Sequence, residues 1–343
     1  MHDHDGPALH GSASIRPDFG PDPADAPPLR WGILAAGQIA ATFADTVPAH
    51  TTSTVVAVGS RSQQRADAFA ARFGIERSYG DYAALVADPQ VQAVYIASPH
   101  SEHRDHALLA IDAGKHVLIE KCFTQNAAQA REVFDAAQAR GVFVMEAMWT
   151  RFLPHMVALR ALLADGVIGQ VLTLAAHHGQ PIAGIERMAS PELGGGALLD
   201  LGIYPIAFAF DVLGSPDSIQ ATGELTDRGV DATAAITFGY PGAVAQLSTT
   251  MLAKTHNVAE LAGTKGRITI SETFYAPSGI VTVHPSSGPS WTLSAPPVTG
   301  GFQYQVAEVA RRVLAGEVES PLRPWAEIIA TQEAIDAIAA QIG

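Results

Sequence analysis

The stretch Leu29-Arg-Trp-Gly-Ile-Leu-Ala-Ala-Gly-Gln-Ile-Ala40 runs from an apolar segment through a turn of small residues into a helix-forming segment. The pattern G-x-G-x-x-G/A, typical of dinucleotide-binding turns, aligns on residues 35–40, with alanine at its first and third positions and Gly37 at its second. Because Gly37 has no side chain, a pyrophosphate can approach the helix N-terminus closely there. The turn predicts a dinucleotide site with Ala36, Gly37, Gln38 and Ile39 as candidate contacts.

Apolar and helical segments alternate after this stretch. The patterns predict strands at residues 54–59, 93–97, 117–119 and 142–145, and helices at residues 64–73, 104–113 and 127–140. Strands that alternate with helices of this length imply a parallel, doubly wound sheet of the α/β class. We therefore expect a Rossmann domain over residues 29–148.

The end of the second predicted strand distinguishes between the two nicotinamide cofactors. An NAD site usually has an acidic residue about 20 residues past the glycines, where it accepts hydrogen bonds from the ribose. Here that place holds Ser60, Arg61 and Ser62, and the next acid is Asp67. An arginine can stack on the adenine and pair with a 2′-phosphate, and the serines can donate hydrogen bonds. The segment favours NADP over NAD.

Composition limits the partners and the compartment. The formal charge is 21 − 34 = −13, which argues against a nucleic acid or an anionic membrane as partner. Cys122 is the single cysteine, so no intramolecular disulfide can form, and we expect a reducing, cytoplasmic location. No apolar run approaches the ~18 residues of a membrane-spanning helix.

The 343 residues suffice for about two domains. Residues 1–28 are rich in Pro, Asp, His and Gly without periodicity, and we expect a disordered leader. Residues 149–343 are predicted to form a second domain, with strands at 171–176, 232–238, 243–248, 266–270 and 280–283 joined in part by hairpins, and helices at 302–314 and 325–342.

Five segments together resemble the glucose–fructose oxidoreductase / inositol dehydrogenase (Gfo/Idh/MocA) family. They are Trp31–Ala40, Ser98-Pro-His-Ser-Glu-His103, Ala113-Gly-Lys-His-Val-Leu-Ile-Glu-Lys121, Glu146-Ala-Met-Trp-Thr-Arg-Phe-Leu-Pro154 and Gly194-Gly-Gly-Ala-Leu-Leu-Asp-Leu-Gly-Ile-Tyr204. The fourth is similar to the branch of the dimeric dihydrodiol dehydrogenases and NADP-linked D-xylose dehydrogenases. The resemblance extends from Leu29 to the C-terminus.

The resemblance implies a fold and an activity. It implies that the second domain is an α/β domain on an open, mostly antiparallel sheet, and that this sheet forms a homodimer or homotetramer interface. It implies hydride transfer between a nicotinamide and a carbinol carbon of a sugar, polyol or cyclic diol. It also adds candidate cofactor contacts, namely Ser98, Pro99, His100, His103, Glu120 and Lys121.

Three residues are the candidate catalytic group. Lys121 follows the apolar run 117–119, and ligands of open α/β sheets bind at the carboxyl ends of strands. Asp200 and Tyr204 lie four residues apart, so in a helical turn they face one side. We expect Tyr204 to act as acid and base, Lys121 to stabilise its phenolate, and Asp200 to orient substrate. Glu120 is expected to orient Lys121, and Cys122 replaces the proline of the family's Glu-Lys-Pro.

Several alternatives stay open. Arg151 either contacts substrate oxygens or holds the domain junction, and His178 is a second candidate for substrate contact. The spacing of His100, His103 and His106 suggests a metal site, but no cysteine or carboxylate cluster completes one, so we expect no metal. A cofactor-binding sensor without catalysis, and an enzyme that recycles a tightly bound cofactor, are the other functions that fit.

Overall fold

The computed structural model describes residues 18–343, and all structural statements below refer to that part of the chain. The helices are α1 Gln38–His50, α2 Gln63–Phe73, α3 Tyr82–Ala87, α4 His103–Asp112, α5 Ala127–Arg140, α6 Pro154–Ala164, α7 Glu186–Ala189, α8 Ile203–Leu213, α9 Phe302–Leu314 and α10 Trp325–Ile342. The strands are β1 Arg30–Leu34, β2 Thr54–Gly59, β3 Arg77–Tyr79, β4 Ala93–Ile96, β5 His116–Glu120, β6 Val144–Ala147, β7 Val171–Gly179, β8 Ser218–Leu225, β9 Asp231–Tyr240, β10 Ala243–Thr250, β11 Ala259–Gly263, β12 Gly266–Ile270, β13 Val281–Pro285 and β14 Trp291–Thr292.

The first domain contains a six-stranded parallel sheet in the order β3-β2-β1-β4-β5-β6. Its central strands are buried almost throughout, because helices cover both faces of the sheet. The strand order reverses direction between β1 and β4, which is where such sheets bind their ligands. The predicted Rossmann architecture is confirmed. The short strand β3 was missed, since its three residues carry no apolar pattern.

The second domain contains an eight-stranded sheet in the order β14-β13-β12-β11-β7-β10-β9-β8. Only β7 and β10 pair in parallel, so the expectation of a mostly antiparallel sheet is confirmed. Buried residues alternate along β9, because one face of the sheet packs against helices. Strands β8 and β11 were not predicted; they hold few β-branched residues and gain their hydrogen bonds from neighbouring strands.

The last two helices connect the domains. Phe302 of α9 packs edge-on against Phe43 and Tyr95 in the core of the first domain. Helix α10 contacts both α5 of the first domain and β8 of the second. The two sheets are therefore held by a shared C-terminal segment.

The predicted disordered leader needs a correction. Residues 1–17 lie outside the described part of the chain. Residues 18–28 contain a short 3-10 helix, Pro23–Asp25, which contacts α9 and buries Pro23 and Ala26. The Arg311 guanidinium donates to the Asp22 carbonyl at 2.6 Å. Disorder is thus the wrong description for residues 18–28, because apolar contacts with α9 order them.

The expectation that the chain has no apolar run long enough to cross a membrane was wrong for the segment Pro191–Leu213. By length and composition this segment is apolar enough to do so. In the structure 72 % of its apolar window is buried within the protein. It comprises a 3-10 turn, a π-helical segment Leu198–Gly202 and α8, and it packs as a core element.

Candidate active site

A pocket of ≈ 630 Å³ lies between the carboxyl ends of the parallel strands and the segment that leads into α8. Thirteen of the predicted site residues line it: Ala36, Gly37, Gln38, Ile39, Ser60, Arg61, Ser98, Pro99, His100, Glu120, Lys121, Asp200 and Tyr204. Four others, Ser62, His103, Arg151 and His178, do not line it. Six further residues complete the wall: Ala35, Thr42, Arg65, Tyr82, Ala97 and Arg187.

The turn after β1 forms one end of the pocket. Ala35, which stands where the pattern has its first glycine, adopts φ 79°, the left-handed conformation that glycine takes without strain. Gly37 is the N-cap of α1 and provides no side-chain cap for the helix. The first N–H groups of α1 are therefore available to an anion, and the helix dipole favours negative charge there. This end of the pocket fits a pyrophosphate.

The segment after β2 places two arginines at the same end. Arg61 and Arg65 both line the pocket, and Ser60 beside them is buried. Ser62, by contrast, caps α2 by accepting a hydrogen bond from the Arg65 N–H, so its predicted cofactor contact is not supported. Arg65 was missed; it lies in the first turn of α2, four residues after Arg61.

Lys121 and Asp200 meet at the other end of the pocket. The Lys121 ammonium donates to Asp200 Oδ1 at 2.9 Å and to the Asp200 carbonyl at 2.8 Å. Burial alone would raise the pKa of Asp200, but Lys121 and Arg187 outweigh it and hold that pKa well below its usual range. Asp200 is therefore a carboxylate that fixes Lys121, and it need not face substrate directly as the sequence suggested.

Tyr204 lies against this pair. The Lys121 Nζ atom is 5.3 Å from the centroid of the Tyr204 ring, and the ring stacks on Tyr275 at 4.4 Å. Burial, together with the negative charges of Glu120 and Asp200, raises the pKa of Tyr204 well above its ordinary value. The lowering expected from Lys121 does not outweigh these effects. A raised pKa favours the neutral phenol at pH 7, the form that is able to donate a proton.

The backbone brings Asp200 and Tyr204 to one side. Asp200 lies in the π-helical segment Leu198–Gly202, which continues directly into α8. The junction lies between Gly202 and Ile203, just before Pro205. Pro205 sits in the first turn of α8, where a missing N–H costs little.

Glu120 has a different partner from the predicted one. The Tyr95 hydroxyl donates to Glu120 Oε1, and Asp200, not Glu120, holds the Lys121 ammonium. Burial raises the pKa of Glu120 to about 7, against the opposing effects of Tyr95 and Lys121. Glu120 is therefore a buried acid close to its titration midpoint at neutral pH.

The three histidines of the predicted α4 region serve separate purposes. His100 lines the pocket, and its Nδ1 lies 2.9 Å from the Gly194 carbonyl. His103 is fully buried between the carbonyls of Ser98 and Cys122 and does not line the pocket, so the structure does not support its predicted cofactor contact. Burial lowers the pKa of His100 to about 4 and that of His103 to about 3. His106 bonds to the Ser98 hydroxyl. Within residues 18–343 no group of three or more His, Cys, Asp or Glu residues is placed so that it could hold a metal ion.

The two tentative substrate residues lie behind the pocket wall. Arg151 is buried and pairs with Asp211 at 2.7 Å and with Glu327, which favours the junction role over the substrate role. His178 is also buried; its Nδ1 bonds to the Leu201 carbonyl and its ring packs on Tyr204 and Tyr275. His178 thus packs behind the lining residue Tyr204, whereas Arg151 links α8 to α10.

Cys122 occupies the position of the family's proline without displacing Lys121 from the pocket. The Lys121–Cys122 peptide bond is cis. The thiol is fully buried, where it donates to Gln332 Oε1 at 3.4 Å, and burial raises its pKa. Cys122 thus packs as a small apolar residue and not as a nucleophile.

The chain matches two family models. Residues 29–148 match the oxidoreductase family with an NAD-binding Rossmann fold (GFO_IDH_MocA), and residues 156–269 match the GFO/IDH/MocA C-terminal domain. A trans-1,2-dihydrobenzene-1,2-diol dehydrogenase of Mus musculus is 38% identical over 313 residues, which cover 87% of this chain and 92% of the mouse protein. The enzyme of the same name from Danio rerio is 36% identical over 326 residues, covering 92% of this chain and 97% of the fish protein.

The solved structures agree. A 3-ketoreductase from Actinomadura kijaniata, crystallised with NADP and TDP-benzene, superposes with a TM-score of 0.81 at 30% identity, covering 92% of this chain and 98% of that one. These similarities extend over both domains, and the relatives are named as dehydrogenases and ketoreductases. The chain therefore belongs to the GFO/IDH/MocA family of oxidoreductases and is an NAD(P)-dependent dehydrogenase or reductase that acts on CH–OH groups.

Proposed function

We propose that the protein is an NADP-dependent oxidoreductase that transfers a hydride to or from a carbinol carbon of a sugar, polyol or cyclic diol. The observation that carries this proposal is the meeting of Lys121, Asp200 and Tyr204 in the same pocket as the α1 N-terminus and Arg61. The names of the relatives, which include dihydrodiol dehydrogenases and a 3-ketoreductase, support the substrate class.

The residues at one end of the pocket fit NADP. The first turn of α1 would hold the pyrophosphate, and Arg61 and Arg65 would pair with a 2′-phosphate, because a guanidinium binds phosphate oxygens in a bidentate manner. His100, Glu120 and Lys121 stand where the nicotinamide end would lie. When bound, the nicotinamide would supply or accept the hydride.

The chain's own residues would supply the proton transfer and the stabilisation of charge. For reduction, the neutral Tyr204 hydroxyl would give its proton to the oxygen of a carbonyl substrate as that oxygen gains electrons. Lys121, fixed by Asp200, would stabilise the developing negative charge. For oxidation, Tyr204 must first lose its proton, so this direction is expected to gain rate as pH rises. The buried wall behind Tyr204 would exclude water.

The test is a two-way assay with the purified protein. NADP and NAD would each be offered with aldopentoses, aldohexoses, inositol and a trans-dihydrodiol, and NADPH and NADH with ketoses and dicarbonyl compounds. Turnover with NADP supports the proposal, and its loss in Lys121→Met with NADPH still bound supports the role of Lys121. Preference for NAD would contradict the role of Arg61 alone. NADPH binding without turnover on any compound would favour a cofactor sensor.

Two further properties are proposed from the sequence. From the resemblance, we expect a homodimer or homotetramer formed through the open sheet, which light scattering would test. From the single cysteine, we expect a cytoplasmic location.

A further inference from the structure

Arg187 is the one pocket residue from α7, and no sequence pattern pointed to it. Its guanidinium forms a bidentate pair with Asp200, Nη1 to Oδ1 at 3.1 Å and Nη2 to Oδ2 at 3.2 Å. The Arg187 side chain is 38% exposed, whereas that of Asp200 is 11% exposed. The arginine therefore reaches in from the pocket mouth to a carboxylate that is nearly buried.

Asp200 therefore pairs with two cationic side chains. Its Oδ1 atom accepts from both the Lys121 ammonium and the Arg187 guanidinium. Two positive charges and one negative charge leave a net charge of +1 on the group. If Lys121 alone paired with Asp200, the two charges would cancel, and little field would remain at the phenol beside them.

We propose that Arg187 is a positioning residue for the reaction: by taking a share of the Asp200 carboxylate, it leaves the Lys121 ammonium free to stabilise negative charge on Tyr204. This role rests on the proposed function, since it concerns the residue that would exchange the substrate's proton. It acts through Asp200, because Arg187 makes its hydrogen bonds with that residue and not with Tyr204.

The other ionisable groups around Tyr204 and Asp200 come from several elements. They are Glu120 at the end of β5, His100 before α4, Tyr95 on β4, His178 on β7 and Tyr275 after β12. Burial keeps the pKa values of His100 and His178 at about 4, so both are neutral at pH 7. Glu120, whose pKa is about 7, titrates in the assay range and is present in every variant compared below.

A purely structural role for Arg187 is the alternative, and the chain offers a matched control for it. The neighbouring Glu186 forms an exposed bidentate pair with Arg228, which ties the same short helix to the turn between β8 and β9. Glu186→Gln therefore loosens α7 without touching the Asp200 group. If Arg187 only anchors α7, then Glu186→Gln and Arg187→Met should have similar consequences.

The experiment measures kcat and KM for alcohol oxidation from pH 6 to 11 in wild type, Arg187→Met, Arg187→Lys and Glu186→Gln. The assay uses saturating NADP, because the positive charge of an oxidised nicotinamide lowers the pKa of a nearby phenol and brings the midpoint of the rate toward this range. In Arg187→Met we expect kcat to fall at least about tenfold at pH 7, and the midpoint of its rise with pH to move up by about one unit, because one nearby positive charge is lost. Arg187→Lys keeps the charge and should restore most of the midpoint. Glu186→Gln should keep the wild-type profile.

Each outcome has one meaning. A lower rate with an unmoved midpoint in Arg187→Met would overturn the proposal, as would an equal shift in Glu186→Gln. A change confined to KM would also overturn it, since it would make Arg187 a substrate contact. Wild type without turnover would reject the proposed function and this role together, whereas wild-type turnover with unaltered Arg187 variants would reject this role alone.

Discussion

The two ends of the pocket are built in different ways. The cofactor end comes from turns of one domain, residues 36–39 and 60–65, and its arginines face solvent. The chemical end joins both domains: Lys121 and Asp200 lie 79 residues apart and are held by charge pairs that are mostly buried. An exposed arginine is solvated whether or not it has a partner, but a buried charge depends on its neighbours. Substitutions should therefore act independently at the first end and in a coupled way at the second.

The largest effect is expected at the chemical end, from Tyr204→Phe. The change removes the proton donor and keeps the ring that stacks on Tyr275, so turnover should fall roughly 100- to 10,000-fold while NADPH binding is retained. Steady-state rates and fluorescence titration with NADPH measure the two quantities. Tyr240→Phe is the control, because it removes a buried hydroxyl that has no partner in the described part of the chain. Equal rates in both variants would contradict the role of Tyr204.

The next effect concerns the ion pairs behind the chemical end. Arg323 and Glu146 are fully buried and bonded at 2.7 Å, and Glu146 also accepts from the Phe123 N–H, which follows the Lys121 segment. Arg323→Met leaves Glu146 buried without its cation, so we expect unfolding free energy to fall by about 3–5 kcal/mol. Urea unfolding measures this change.

Its control is Arg131→Met, which removes an exposed partner of Glu333 and should cost about 1 kcal/mol or less. Similar losses in both variants would mean that the buried network contributes no more than a surface pair. The contrast between exposed charges at the cofactor end and buried charges at the chemical end would then not correspond to a difference in stability.

The same contrast explains what the sequence could predict. The cofactor turn, the parallel sheet and the positions of Lys121, Asp200 and Tyr204 all follow from local patterns or from the family motifs. The partners of these residues do not. Tyr95 as the donor to Glu120, and Arg187 as the second cation on Asp200, depend on contacts between distant segments.

The misplaced residues make the same point. Ser62 and His103 lie close in sequence to pocket residues, and Arg151 lies in a segment that resembles the family. These three side chains and that of His178 nevertheless point into caps or into the core. A polar side chain near a motif can equally satisfy a buried carbonyl or carboxylate. For Ser62 a local helix cap decides the outcome, and for Arg151 and His178 contacts between distant segments decide it.

Glu120 supplies a prediction of intermediate size. Its pKa of about 7 exceeds the ordinary 4.5, so the folded protein holds this proton more tightly than the unfolded chain does. The resulting stabilisation is full below about pH 4.5 and is lost as pH rises through 7. In wild type, this residue should lower the unfolding free energy by about 2–3 kcal/mol between pH 5 and 8. Glu120→Gln stays neutral over this range, so we expect that contribution to be absent from the variant.

Urea unfolding at several pH values in that range checks this expectation against wild type. Asp231, with a pKa raised by burial to about 6, adds its own fall but is present in both proteins and cancels in the difference. Asp200, whose pKa is depressed, loses its contribution only in acid below this range. Parallel curves of unfolding free energy against pH for the two proteins would show that folding does not raise the pKa of Glu120.

The smallest effect is expected at the cofactor end, from Arg61→Ala. Hydrogen bonds to a charged group contribute about 1.5–3 kcal/mol, so KM for NADP should rise about tenfold to a hundredfold, with little change for NAD. Arg72→Ala, at the far end of α2 where the guanidinium lies over Phe73, is the control and should leave both values unchanged. A rise in KM that is equal for NADP and NAD would mean that Arg61 stacks on the adenine instead of pairing with the 2′-phosphate. Because Arg61 lies at the exposed cofactor end, its effect should add to that of Tyr204→Phe in the double variant. Such additivity would show that the cofactor end and the chemical end of the pocket act independently.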